Sequence, residues 1–92
     1  MHTCLTMPTF DLYCFPHCRD CETLKEELRR RNIPFSAHDV SSSAAELTSM
    51  KVLTEGIVHF PVLVVDKDTE HIRVAAGLED AKWLLGEARC RQ

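Results

Sequence analysis

No apolar run in the 92-residue chain approaches the roughly 20 residues that a bilayer-spanning helix needs, so a membrane partner is not expected. A basic excess is missing too. Eleven Lys and Arg stand against 14 Asp and Glu, for a formal net charge of −3. That balance carries no electrostatic footprint for nucleic acid, and no acidic block marks a tail. The opening stretch, Met1 to Pro8, lacks a basic start and a long apolar centre, so it reads as a short lead-in rather than a secretory signal. Internal repeats, low-complexity tracts and linkers are also missing. The five cysteines, at 4, 14, 18, 21 and 90, are odd in number and unevenly spaced, unlike a secreted disulfide framework. Together these absences lead to the expectation of a cytoplasmic chain. In that reducing setting a close cysteine pair serves catalysis or metal binding rather than structure.

What is present suits one domain over residues 1–92. The hydrophobic content of 45% is ordinary for a globular chain with a modest core. Thr9 to Cys14 reads as a strand, broken by Pro16. From Arg19 to Arg31 the pattern turns helical, with Cys21, Leu24 and Leu28 on one face. Acidic residues lie toward its start and Arg29, Arg30 and Arg31 toward its end, which complements the helix dipole. Glu26–Arg30 and Glu27–Arg31 are favourable i, i+4 pairs, and Asn32 and Pro34 end the helix.

A second strand is predicted near Phe35 to Val40. Ser41 to Ser43 offer N-caps for a helix over Ala44 to Thr54, closed by Gly56. Phe60 to Val65 reads as a buried central strand, Asp66 to Thr69 as a turn, and Glu70 to Ala75 as the second strand of a hairpin. Leu78 to Ala88 closes the chain as a helix, with Leu78, Ala81, Leu85 and Ala88 on one face. The predicted order is β-α-β-α-β-β-α, an α/β fold. Its first strand–helix–strand unit should be parallel and right-handed, and its last two strands antiparallel.

Cys18-Arg19-Asp20-Cys21 is the most informative segment. A C-x-x-C pair that follows a strand and opens a helix suits reversible disulfide chemistry. The unpaired N–H groups and dipole of a helix start stabilise a thiolate, which is the reactive form. Cys18 would attack, and Cys21, one turn further in and more buried, would resolve the mixed disulfide. Metal is the rival. Cys14, Cys18 and Cys21 also give C-x3-C-x2-C, the cluster signature of radical S-adenosylmethionine enzymes, but those need a large partial barrel that 92 residues cannot build. A zinc site needs four converging ligands, and only one close pair is present. No metal is therefore expected within one chain, although an iron–sulfur cluster shared between two chains stays open.

Cys14 alternates with Phe10 and Leu12 and reads as a buried small hydrophobe. Cys4 and Cys90 read as exposed, non-catalytic thiols near the ends. His17 precedes Cys18, where a protonated imidazole would favour the thiolate; an exposed turn histidine fits the position equally well. His59-Phe60-Pro61 opens the buried strand, and a cis bond suits Pro61 there. His2, His38 and His71 read as surface residues without a role.

Three segments resemble the glutaredoxin family, within the thioredoxin-fold superfamily. Tyr13-Cys14-Phe15-Pro16-His17-Cys18-Arg19-Asp20-Cys21 is similar to its strand-to-active-site segment. His59-Phe60-Pro61-Val62-Leu63 is similar to its cis-proline segment, and Ala76-Gly77-Leu78-Glu79-Asp80 to its Gly-Gly-x-x-Asp segment. The resemblance spans roughly residues 9 to 88, and the order and spacing of all three segments agree. It implies a four-stranded mixed sheet with helices on both faces, Cys18 as nucleophile and Cys21 as resolving thiol. It also implies a glutathione groove, in which the backbone of Phe60 beside Pro61 pairs with the tripeptide while Gly77 and Asp80 hold its γ-glutamyl end. Five positions depart from the family pattern. Arg19-Asp20 lies between the cysteines, Phe15 replaces a lysine, His59 a threonine, and Ala76 the first glycine.

The expected function is thiol–disulfide oxidoreduction on protein disulfides or glutathione mixed disulfides, with glutathione as co-substrate and the chain a monomer. The alternatives are a glutathione-dependent carrier of a shared iron–sulfur cluster and a redox-inert module that binds a protein partner.

Overall fold

The computed structural model describes residues 8–88. Cys4, Cys90, His2 and all but the last residue of the lead-in lie outside the described residues. Seven elements follow one another: β1 (Phe10–Cys14), α1 (Arg19–Arg30), β2 (Ser36–Asp39), α2 (Ala44–Leu53), β3 (Val62–Val65), β4 (Arg73–Ala76) and α3 (Leu78–Glu87). The sheet order is β2-β1-β3-β4. β1 and β2 run parallel, with Tyr13 opposite His38, while β3 is antiparallel to both β1 and β4. This is the mixed four-stranded α/β architecture expected from the order of elements.

Alternation along β1 and β3 divides the core in two. Phe10, Leu12, Cys14, Leu63 and Val65 face one way and pack with Cys21, Leu24 and Leu28 of α1 and Ala81, Leu84 and Leu85 of α3. Tyr13, Val62 and Val64 face the other way and pack with Met50 of α2 and Val40. Every residue of β3 is buried, because helices cover both of its faces. Each fully buried leucine contributes about 1.5–3 kcal/mol relative to exposure.

Helix ends follow local chemistry. Ser43 Oγ accepts the Glu46 N–H at 3.2 Å to cap α2. At the end of α1, Ile33 N–H donates to Leu28 O (2.9 Å) and Asn32, at φ 57°, donates to Arg29 O (2.9 Å), a Schellman closure. α2 closes in the same way, but Glu55 at φ 56°, not Gly56, takes the left-handed position just past the cap. Gly56 follows it and donates to Lys51 O at 2.8 Å.

Three expectations need correction. β4 begins at Arg73 rather than Glu70, because Val65 pairs with Arg73 and residues 66–72 form the turn. Asp66 and Asp68 adopt left-handed backbone there, and Thr69 folds back on Asp66 O. Glu27 pairs with both Arg30 and Arg31, the latter at 2.7 Å, so Glu26 has no ion pair among the described residues. His38 is not a plain surface residue. Its ring stacks on Tyr13 at 4.7 Å, Nε2 lies 2.8 Å from Asp11 Oδ1, and Nδ1 lies 2.9 Å from Glu46 Oε2. One imidazole thus ties β1, β2 and α2 together. His71 is exposed, as expected.

Among the described residues, no helix is long and apolar enough to cross a membrane.

Candidate active site

β1 delivers the chain to the site at Cys14. Phe15, Pro16 and His17 then turn it, with His17 at φ 61°. Cys18 is the N-cap of α1, in extended backbone, and its carbonyl accepts the Glu22 N–H at 3.1 Å. An N-cap side chain normally offers oxygen to a first-turn N–H. Here the acceptor is sulfur: Cys18 Sγ accepts the Cys21 N–H at 3.2 Å. That bond holds the sulfur at the N-terminal end of a twelve-residue helix.

Cys18 is half-buried, whereas Cys21 is 1% exposed. One sulfur is therefore reachable and the other waits a turn behind it. Burial pushes the Cys21 thiol well above the ordinary thiol range. Its hydrogen bond to Cys18 adds to that rise, and a backbone hydrogen bond from Phe15 opposes it. Cys14, buried on the strand face beneath α1, is raised chiefly by burial. Lys25 and a hydrogen bond with Cys21 work against the rise. All three thiols are free. Among the described residues, no three His, Cys, Asp or Glu side chains converge to hold a metal ion. His17 is exposed and makes no hydrogen bond or ion pair among the described residues.

The other candidate residues lie just before β3 and at the start of α3. The Phe60–Pro61 bond is cis. Pro61 O accepts the Gly77 N–H at 2.9 Å, which joins the start of β3 to the start of α3. Gly77 sits at φ 94°, ψ 154°, a region open essentially to glycine alone. A Cβ at this position would lie 2.9 Å from two ring atoms of His59. Glycine is thus required by conformation, while the exposed His59 ring would have to swing aside for a larger residue. Because Pro61 occupies its N–H, Gly77 shapes the site while the first-turn donors of Leu78, Glu79 and Asp80 stay available.

A cavity of about 260 Å3 brings Gly77 and Asp80 together with Asp20, His59, Ala76, Leu78 and Glu79. Phe60 and Pro61 do not line it. Instead, Phe60 packs against Phe15 at 5.5 Å between ring centroids. No lysine or arginine lines the cavity, and Asp20, Glu79 and Asp80 form no ion pair among the described residues. Sequence reasoning missed that Glu79 shares this cavity with Asp20 and that Phe15 covers Phe60. Each carboxylate simply occupies the first turn of its own helix, and nothing local in the sequence says that the two helix starts meet. A larger hollow of about 600 Å3 lies along edge strand β4, beside the exposed Ile57 and Trp83, and shares Ala76 and Asp80 with the smaller cavity.

The family profile described as Glutaredoxin matches residues 10–72, more than half of the chain and all of the segment from β1 through the cis-proline. The chain belongs to the glutaredoxin family. It is therefore a member of a family of glutaredoxin-like and thioredoxin-like redox proteins. Solved structures agree on the fold. The chain is similar to the thioredoxin-like protein BC3987, at 25% identity over 84% of this chain and 97% of that one, with a TM-score of 0.68. A point mutant of that same protein superposes with a TM-score of 0.71 at 24% identity, over 87% and 97% of the two chains. The glutaredoxin-like protein NrdH-redoxin from Escherichia coli is similar at 13% identity, with a TM-score of 0.68 over 91% of this chain and 99% of that one. No curated protein sequence matches at a comparable level.

Proposed function

We propose that this member of the glutaredoxin family is a thiol–disulfide oxidoreductase that works through Cys18 and Cys21. One observation carries the reading. A half-buried sulfur caps a helix and accepts a backbone N–H at 3.2 Å, with a second, buried thiol one turn behind it.

The Cys18 thiolate attacks one sulfur of a substrate disulfide. That S–S bond breaks, one substrate sulfur leaves as thiolate, and the other stays joined to Cys18. Cys21 then loses its proton and attacks Cys18 Sγ. The Cys18–Cys21 bond forms, the second substrate sulfur leaves, and two protons restore the substrate as thiols. Two electrons pass from the dithiol to the substrate, and an external thiol must return them.

Protein disulfides and glutathione mixed disulfides are the substrate classes of this reading, with glutathione as co-substrate in the groove of Phe60, Pro61, Gly77 and Asp80. No hydrogen bond takes up the Phe60 backbone among the described residues, which suits β-like pairing with an extended peptide. The open N–H groups of the first turn of α3 suit a carboxylate, and Asp80 suits an ammonium. Two features of the rim weigh toward protein disulfides. Phe15 and Phe60 form an apolar wall where the family pattern has a lysine, and the cavity beyond is lined by three carboxylates.

Turnover of a glutathione mixed disulfide and of a protein disulfide tests the reading. Cys18→Ser should bring both activities to background. Cys21→Ser should abolish reduction of the protein disulfide and keep that of the glutathione mixed disulfide. Activity that survives in Cys18→Ser would refute the assignment.

A further inference from the structure

β4 is an edge strand, and it opens into the hollow of about 600 Å3. In an antiparallel ladder, successive residues turn their N–H and C=O groups to alternate sides. Gly77 gives its N–H to Pro61 O, and Ala75 lies opposite Leu63, so Val74 and Ala76 turn theirs away from β3. No described residue takes them up. Such a row is a template for one more strand. Walls flank it on both sides: Leu53 and Ile57 on the α2 side, Trp83 and Leu84 on the α3 side. Ile57 and Trp83 are more than half exposed, and an apolar strand laid along β4 would cover them.

Charge gives the occupant a direction. Arg73 starts β4, and Ala76 ends it close to Asp80 in the first turn of α3. Neither Arg73 nor Asp80 makes an ion pair among the described residues. Ala76 and Asp80 also line the smaller cavity of the candidate site, so the hollow along β4 is continuous with it. We propose that the β4 edge docks an extended apolar segment of the disulfide-bearing protein substrate, antiparallel to β4, with a basic residue at the Asp80 end and an acidic one at the Arg73 end. This deepens the oxidoreductase reading and rests on it. A substrate chain that continues C-terminally from its cysteine passes Ala76 first and Arg73 last, opposite to the run of β4. Its main chain would pair with Val74 and Ala76, and its two alternating rows of side chains would meet the two walls. A single strand fits between those walls, whereas a second copy's β4 would bring walls of its own.

Synthetic cysteinyl peptides, each activated as a mixed disulfide with a chromogenic aromatic thiol, test the proposal. The first carries Lys-Val-Leu-Val-Glu after its cysteine and a glycine spacer of graded length. The second carries the same residues in reverse order, and the third ends at the spacer. The pre-reduced chain supplies both electrons. Cys18 attacks the peptide sulfur, the S–S bond breaks, and the aromatic thiolate leaves and is read by its colour. At its best spacer length the first peptide should react about tenfold faster, as a second-order rate, than either control. Val74→Pro removes an outward N–H at a place where an edge strand accepts proline. That variant and Arg73→Glu should each erase the advantage and keep the native rate with the third peptide. Equal rates for the first peptide and either control, or an advantage that survives both variants, would overturn the docking edge. A native chain that sediments as a dimer and becomes a monomer in Val74→Pro would give the edge to a second copy and overturn it too. A native chain that releases no colour from the third peptide, or a Cys18→Ser chain that does, would instead overturn the thiol reading beneath it.

Discussion

The two faces of the sheet do different work with the same strands. The face under α1 and α3 is apolar and holds all three described thiols, with Cys14 and Cys21 inside the core and Cys18 at its edge. The face under α2 has a buried phenol at its centre. Tyr13 stacks on His38 and receives a hydrogen bond from Lys67 Nζ at 2.8 Å, and His38 bridges two carboxylates. On one face, burial sets the order in which the sulfurs are reached. On the other, charged and polar groups pin β1, β2 and α2 in register. Reactivity and registration are thus separated by the thickness of one sheet.

Substitutions on either side should break that division unequally. Leu24→Ala opens a cavity beside Cys21 in the thiol face. It should cost about 3 kcal/mol in urea unfolding and also speed alkylation of Cys21, because water gains access. His38→Ala on the opposite face should cost about 1–2 kcal/mol, since a hydrogen bond to Asp11, the close approach to Glu46 and a ring stack disappear. Thiol exchange in that variant should stay near native, and a large loss there would join what the comparison separates.

The smallest effect belongs to a surface trio of Glu27, Arg30 and Arg31 outside both cores. Arg30 and Arg31 hold the Glu27 carboxyl at about 2, below its ordinary 4.5. A depressed carboxyl contributes stability above its unfolded value and loses it as pH falls through the folded one. Glu27→Gln should therefore be slightly less stable than native at neutral pH. The difference should shrink between pH 4.5 and about 2, and also in 1 M salt.

Much of this was legible in the sequence, for a physical reason. α1 is found almost to the residue because its apolar face, end charges and the Asn32–Pro34 stop all agree. β3 is found because burial on both faces leaves an unbroken apolar run. The candidate site was legible as three separate segments. The cis bond at Pro61 and the glycine before α3 stand where the resemblance placed them. What escaped depends on contacts between distant segments. His38 looked idle because its role comes from pairing with Tyr13, a register that no local period encodes. The late start of β4 escaped for the same reason: the pairing of Val65 with Arg73 overrides the pattern from Glu70 onward.

Trp83 is the chain's single tryptophan, and it is 69% exposed beside the hollow along β4. Its indole already meets water in the folded state, so its emission is a poor gauge of unfolding. The same exposure makes it a built-in optical sensor for that edge, because any molecule seated there would have to strip water from the ring.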